Sequence, residues 1–179
     1  MHQVLTQLEL LDTLHGQHAG LLGKDFDAYR NHTYRLVNFC AAQLATPDGD
    51  ALQKMQVAAA FHDLGIWSAH TFDYLPPSDA LAQAWLDANG KQAWSEDIAG
   101  MINQHHKITA SGGSALVEAF RRADWTDVTW GVINHGIPRP LRREVFAAFP
   151  DAGFHAMLLK LSFKRLLTHP WNPLPMMRW

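Results

Sequence analysis

Apolar residues recur at three- and four-residue spacings through most of this chain, and no stretch sustains an apolar–polar alternation of period two. That pattern commits the chain to helices that each bury one stripe, and it leaves no candidate strands for a sheet. The expected fold is all-α, a compact helical bundle. Helices are expected over 2–13, from about Asp25 to Ala45 after a glycine-containing break at 20–23, and over 51–65 after the turn-forming TPDGD at 46–50, with Asp50 as cap. An irregular loop over 66–77 ends in Pro76-Pro77. Ser78 then caps a helix over 79–88 that Asn89-Gly90 closes. Ser95 caps a helix through His106, Gly112-Gly113 precede a helix at 114–124, and further helices are expected near 139–148 and 151–168. There is no internal repeat and no long linker, so residues 1–179 read as one domain.

The 179 residues suffice for one sizeable core, and 47% hydrophobic with 18% charged residues is a globular composition. The net charge of −2 lacks the basic footprint of a protein that binds nucleic acid polymers. The single cysteine, Cys40, permits neither an internal disulfide nor a thiolate zinc cluster. With an acidic, polar start where a signal peptide needs a basic one, and no run of about 20 apolar residues, a cytoplasmic protein without a membrane association is expected.

The 11 histidines gain meaning from where they fall. Tyr29, His32, Leu36 and Cys40 follow at spacings of three, four and four, so His32 shares an apolar helix face and points inward. Leu116, Phe120 and Asp124 are spaced by fours, which sets a carboxylate in line with core residues. A buried carboxylate is costly unless it is paired or bound to a metal. His62-Asp63 ends the apolar run VAAAF and precedes Leu64-Gly65. Neighbours on a helix diverge by about 100°, yet both can reach one ion lying beside the helix. Taken singly, each of these residues also suits an ordinary core or capping role. As a set, three helices each direct ligands inward. Two imidazoles with two carboxylates suit manganese, iron, cobalt, nickel or magnesium better than structural zinc.

The order His32, then FHDLG at 61–65, then RRADW at 121–125 resembles the H…HD…D signature of the HD-domain superfamily over roughly residues 25–130. The resemblance implies a helical bundle in which His32, His62, Asp63 and Asp124 hold a divalent metal. It also implies a phosphohydrolase, since most of that family hydrolyses phosphoesters, with diiron oxygenases and a hydratase as minority branches. In INQHHKIT at 102–109, His105 lies four residues after Met101 and His106 four after Ile102, both inward-facing positions. Binuclear members of the family commonly use two separated histidines between the dyad and the last aspartate. Here the intervening stretch offers only His70, so a mononuclear site is expected, or a second metal held loosely by His105 and His106. No GYP triplet follows HHK, which sets aside the cyclic-dinucleotide branch.

The expected chemistry is hydrolysis of a small phosphomonoester or phosphodiester, a nucleotide among the candidates, by metal-activated water. His105 or His106 would shuttle a proton or contact phosphate. Lys107 would neutralise charge on the transferring group, or else stand as a solvated helix-end cation. Asp127, one turn after Asp124, would orient a ligand or the water, or cap the next helix. His70 and Tyr74 would shape the entrance. Trp67 and Trp125 would stack on a base or ring unless they are plain core. The rivals are an HD-type diiron oxygenase or a lyase or hydratase acting on a small molecule, and a non-catalytic nucleotide-binding module. A monomer or homodimer is expected, and the tail with Trp171, Met176, Met177 and Trp179 should pack back on the bundle or across a dimer interface.

Overall fold

The structure is a computed structural model that describes residues 3–44 and 49–177. It is all-α, with no β-strand among the described residues. The helices are α1 (Glu9–Leu22), α2 (Phe26–Ala41), α3 (Gly49–Phe61), α4 (Gly65–Ser68), α5 (Leu75–Ala88), α6 (Ser95–Gln104), α7 (Ala115–Val128), α8 (Arg139–Ala148) and α9 (Phe154–Thr168). α2 is the axis of the bundle, packed most extensively on α7 and next on α3, while α6 bridges α5, α7 and α3. None of these helices is long and apolar enough to cross a membrane.

The first helix begins later than its apolar spacing suggests. Residues around Leu5 and Leu8 hydrogen-bond to α2 rather than to their own turn. The Leu5 N–H donates to Asn38 Oδ1 at 2.8 Å, the Asn38 amide donates back to the Leu5 carbonyl, and the Leu8 N–H donates to the Tyr34 hydroxyl. With those groups satisfied outside a helix, the helical turn starts at Glu9. It then runs through Gly16 and Gly20 and stops at Gly23, whose φ of +52° few other residues adopt.

Three cap assignments and the place of Pro76-Pro77 differ from the sequence expectation. Pro76 and Pro77 stand in the first turn of α5, where a missing N–H costs nothing, so they open the helix instead of closing a loop. Ser78 is therefore inside α5, buried, and its hydroxyl accepts from the Gly65 N–H at 2.9 Å. Trp94 takes the N-cap position of α6, because the Ser95 hydroxyl donates sideways to Gln83 on α5. Asp50 lies within the first turn of α3, and residues 46–48 of its turn fall outside the described residues. Ser114 caps α7, accepting from the Val117 N–H. That helix continues past Asp124 to Val128, because no breaker occurs before Gly131.

α3 ends at Phe61, and tight backbone turns carry the chain from there into α4. Gly65 is the hinge point of that passage. A Cβ there would fall on the Tyr74 carbonyl, 2.9 Å from Ser78 Oγ and 3.0 Å from Pro77. Gly65→Ala is thus expected to destabilise the protein by about 1–3 kcal/mol through overpacking, read as a lower urea midpoint. An unchanged midpoint would show that the α4–α5 contact yields freely.

Candidate metal centre

Six side chains from four stretches of chain converge in the core. His32 comes from the middle of α2, His62 and Asp63 from the turn that ends α3, His105 and His106 from the end of α6, and Asp124 from α7. All are buried except His106, which is partly so. His32 Nε2 lies 3.0 Å from His62 Nε2 and 3.7 Å from Asp124 Oδ1. Asp63 lies 3.3 Å from His62 Nε2 through one oxygen and 3.4 Å from His105 Nε2 through the other. His106 Nδ1 is 3.5 Å from Asp124 Oδ2.

The outer hydrogen bonds fix which ring nitrogens face inward. His62 Nδ1 donates to the Ala59 carbonyl at 2.8 Å and His105 Nδ1 to the Ile102 carbonyl at 2.7 Å. His32 Nδ1 donates to Asp127 Oδ2 at 2.6 Å. A neutral imidazole has one N–H, so all three rings turn an Nε2 lone pair into the centre. Two lone pairs 3.0 Å apart form no hydrogen bond. One ring would have to become a buried cation first, which burial disfavours; burial pushes the His32 pKa down to about 4. Asp63 Oδ1, His105 Nε2 and Asp124 Oδ2 are likewise buried with no hydrogen-bond partner. Such orphaned atoms are rare and costly singly.

A divalent cation could satisfy these atoms three at a time. Two ligands each about 2.1 Å from one ion lie about 3.0 Å apart at a right angle and at most about 4.2 Å apart. The separations of 3.0–3.7 Å around His32 and His62 fall in that window. Three overlapping triads of the cluster have the spacing to hold an ion: His32 with His62 and Asp124, His62 with Asp63 and His105, and His105 with His106 and Asp124. The carboxyls respond oppositely to this setting. Burial, with the Asp63 and Asp127 charges adding, pushes Asp124 up to about 8 despite the imidazole of His105. Burial also works to raise Asp63, and it is protonated His62 and His105 rings that would draw it well below the usual range.

Asp127 does not cap a helix. It is fully buried and accepts from His32 Nδ1 and from Arg35 through Nε at 2.6 Å and Nη2 at 2.9 Å. Arg35 also donates through Nη1 to the Phe149 and Pro150 carbonyls, which ties the end of α8 to the same point. Phe154 stacks on His32 at 4.0 Å between ring centroids. The Tyr29 hydroxyl sits between the Ala59 and Ala60 carbonyls and the Asp63 N–H, so it braces the turn that carries the dyad. Sequence reading passed over Arg35, Phe154 and the Tyr29 hydroxyl. Arg35 had a signal, since it lies one turn after His32 on the inward side of α2. Phe154 had none, being brought in by tertiary packing alone.

Tyr74 is buried and its hydroxyl lies 2.5 Å from His106 Nε2, so it borders the cluster. The Lys107 carbonyl accepts from Arg121 and from the Trp125 indole, which makes Trp125 a brace for the segment after α6. The Lys107 ammonium forms no ion pair among the described residues. The Trp67 indole donates to Asp25 and its ring packs on Tyr29, a structural role behind the dyad. His70 is exposed, with φ +51°, and lines a separate cleft of about 340 Å³ with Lys164, Arg165 and Thr168. Comparison with family models, with curated proteins and with solved structures finds no match.

Removing Arg35 leaves Asp127 buried with His32 alone. Arg35→Met is expected to cost about 3–5 kcal/mol, read by urea unfolding at neutral pH. A loss under about 1 kcal/mol, the scale of an exposed pair, would show that the Arg35–Asp127 bridge is not what joins α2 to α7.

Proposed function

We propose that the chain is a metal-dependent phosphohydrolase of the HD-domain type, acting on a small phosphomonoester or phosphodiester. The observation that carries this reading is the convergence of the His32, His62 and His105 lone pairs with Asp63 and Asp124 in one buried cluster. The order and placement of His32, His62-Asp63 and Asp124 are those that the family resemblance implies for a metal site. Three imidazole nitrogens favour manganese, iron, cobalt or nickel over magnesium. A divalent ion with open positions lowers the pKa of bound water from 15.7 towards about 7 and polarises a phosphoryl oxygen.

The chain's own groups would supply orientation and protons. Asp127 fixes the His32 tautomer and aims its lone pair inward. His106 differs from the other three rings. With Tyr74 donating to its Nε2, its proton sits on Nδ1 beside Asp124 Oδ2. Burial raises Tyr74 well above the usual phenol range, which keeps that donor protonated. His106 is thus set to hold and pass a proton at Nδ1, the task of a general acid or base. The ammonium of Lys107, the next residue, would offset charge on a phosphoryl group.

A second reading rests on one observation. In the other tautomer of His106, with Nε2–H donating to the Tyr74 oxygen, its Nδ1 lone pair joins His105 and Asp124, so the cluster would hold enough ligands for a second metal. Two irons per chain with substrate-dependent oxygen consumption would make it an oxygenase. For the hydrolase, p-nitrophenyl phosphate and its bis ester, assayed with manganese or cobalt, should release phosphate or nitrophenol. Chelator and His62→Ala should each abolish that release, and Asp127→Asn should weaken metal affinity by roughly 10–100-fold. A metal-loaded protein inactive on both ester classes and on a panel of nucleotides would overturn the hydrolase reading.

A further inference from the structure

The last helix is apolar on two opposite sides. Its inner side packs Phe154, Met157, Leu158 and Leu161 against the core. Its outer side carries Leu159, Phe163 and Leu167, one turn apart from each other and 72%, 63% and 69% exposed, with Leu166 beside them. A helix apolar all round is ordinarily buried all round. The patch continues at both ends. Trp130 stacks on His155 at 4.2 Å one turn before Leu159, and Trp171 follows the helix at 97% exposure. The sequence reading had this tail packing back on the bundle or across a dimer interface. Met176 does so, but Trp171 does not, and Trp179 lies outside the described residues.

We propose that this face of α9 is a homodimer interface, occupied by a second copy of the chain. Aromatic side chains bury about 150–250 Å² each. The exposed parts of these residues thus offer on the order of 800 Å² per copy, what one partner contributes to a stable interface. That also exceeds the largest apolar patch of a typical monomer, about 300–600 Å². The pattern is self-complementary. Leu159 and Leu167 are each four residues from Phe163, so an antiparallel pairing about a two-fold axis at Phe163 sets each leucine against the other copy's opposite one. In that register Lys160 comes level with Leu166, while Lys164 and Arg165 line the cleft with His70 on another side of the helix, so no cation opposes a cation. Arg165 donates to the Asn172 carbonyl, in the segment after the helix. Leu159, Phe163, Leu166 and Leu167 carry no charge and only Lys160 borders them, which suits burial against a second copy better than an anionic surface.

Sedimentation velocity and light scattering over micromolar to hundred-micromolar concentrations test this. The full chain should have twice the mass of one copy at the upper end. Phe163→Glu should weaken association at least about tenfold, with unchanged helix content and unchanged metal content. Leu167→Lys, at an equally exposed site, should do the same, so the outcome does not hang on one variant's folding. A wild-type chain monomeric throughout would overturn the proposal. So would a dimer that survives both substitutions, or a monomer that co-sediments with vesicles containing phosphatidylserine.

Discussion

The hydrogen-bonded chain from Arg35 through Asp127 to His32 is the constraint on which the rest of the core turns. It joins the two most intimately packed helices, α2 and α7, and through the Arg35 guanidinium it reaches the end of α8. Each member is fully buried, so none is tolerable alone. Together they satisfy one another and leave a single lone pair unspent, His32 Nε2, directed at His62. The polar network therefore specifies both how the helices meet and where an ion would lie.

The same economy runs outward from the cluster. His62 and His105 each spend their N–H on a carbonyl three residues back in their own chain, so helix ends set their tautomers. Phe154, Tyr29 and Phe120 pack against the rings and exclude water. What remains inside around His32, His62 and His105 is a group of ring lone pairs and carboxylate oxygens that outnumber the donors near them. Without a cation Asp124 takes up a proton at neutral pH, since its pKa is pushed to about 8. With one, its charge and the three lone pairs become assets. Ion binding and folding are coupled in such a site, because the unfolded chain holds no preformed cluster.

Much of this was legible in sequence. Spacing alone turned His32 and Asp124 inward, and the apolar run before His62-Asp63 set the dyad at a helix end. The inward positions of His105 and His106 also followed from their distance to Met101 and Ile102. The partners of those residues were harder to read. Asp127 was placed near the site, but its bond to Arg35 joins residues 92 apart, a relation no local periodicity carries. Helix ends misled for the same reason. Leu5, Leu8, Ser78 and Ser95 send their hydrogen bonds across the bundle instead of along their own helix. Pro76-Pro77 reads as the end of a loop, whereas the packed chain uses it to open α5.

The central claim is that the buried imidazole and carboxylate cluster exists to hold a divalent cation. Elemental analysis of protein purified without chelator, paired with thermal unfolding before and after chelation, tests it most directly. At least about one manganese, iron, cobalt or nickel ion per chain is expected, with an unfolding midpoint that falls on chelation and returns on adding the metal back. A chain that contains no such ion, takes none up on reconstitution and unfolds at the same temperature in either condition would contradict it.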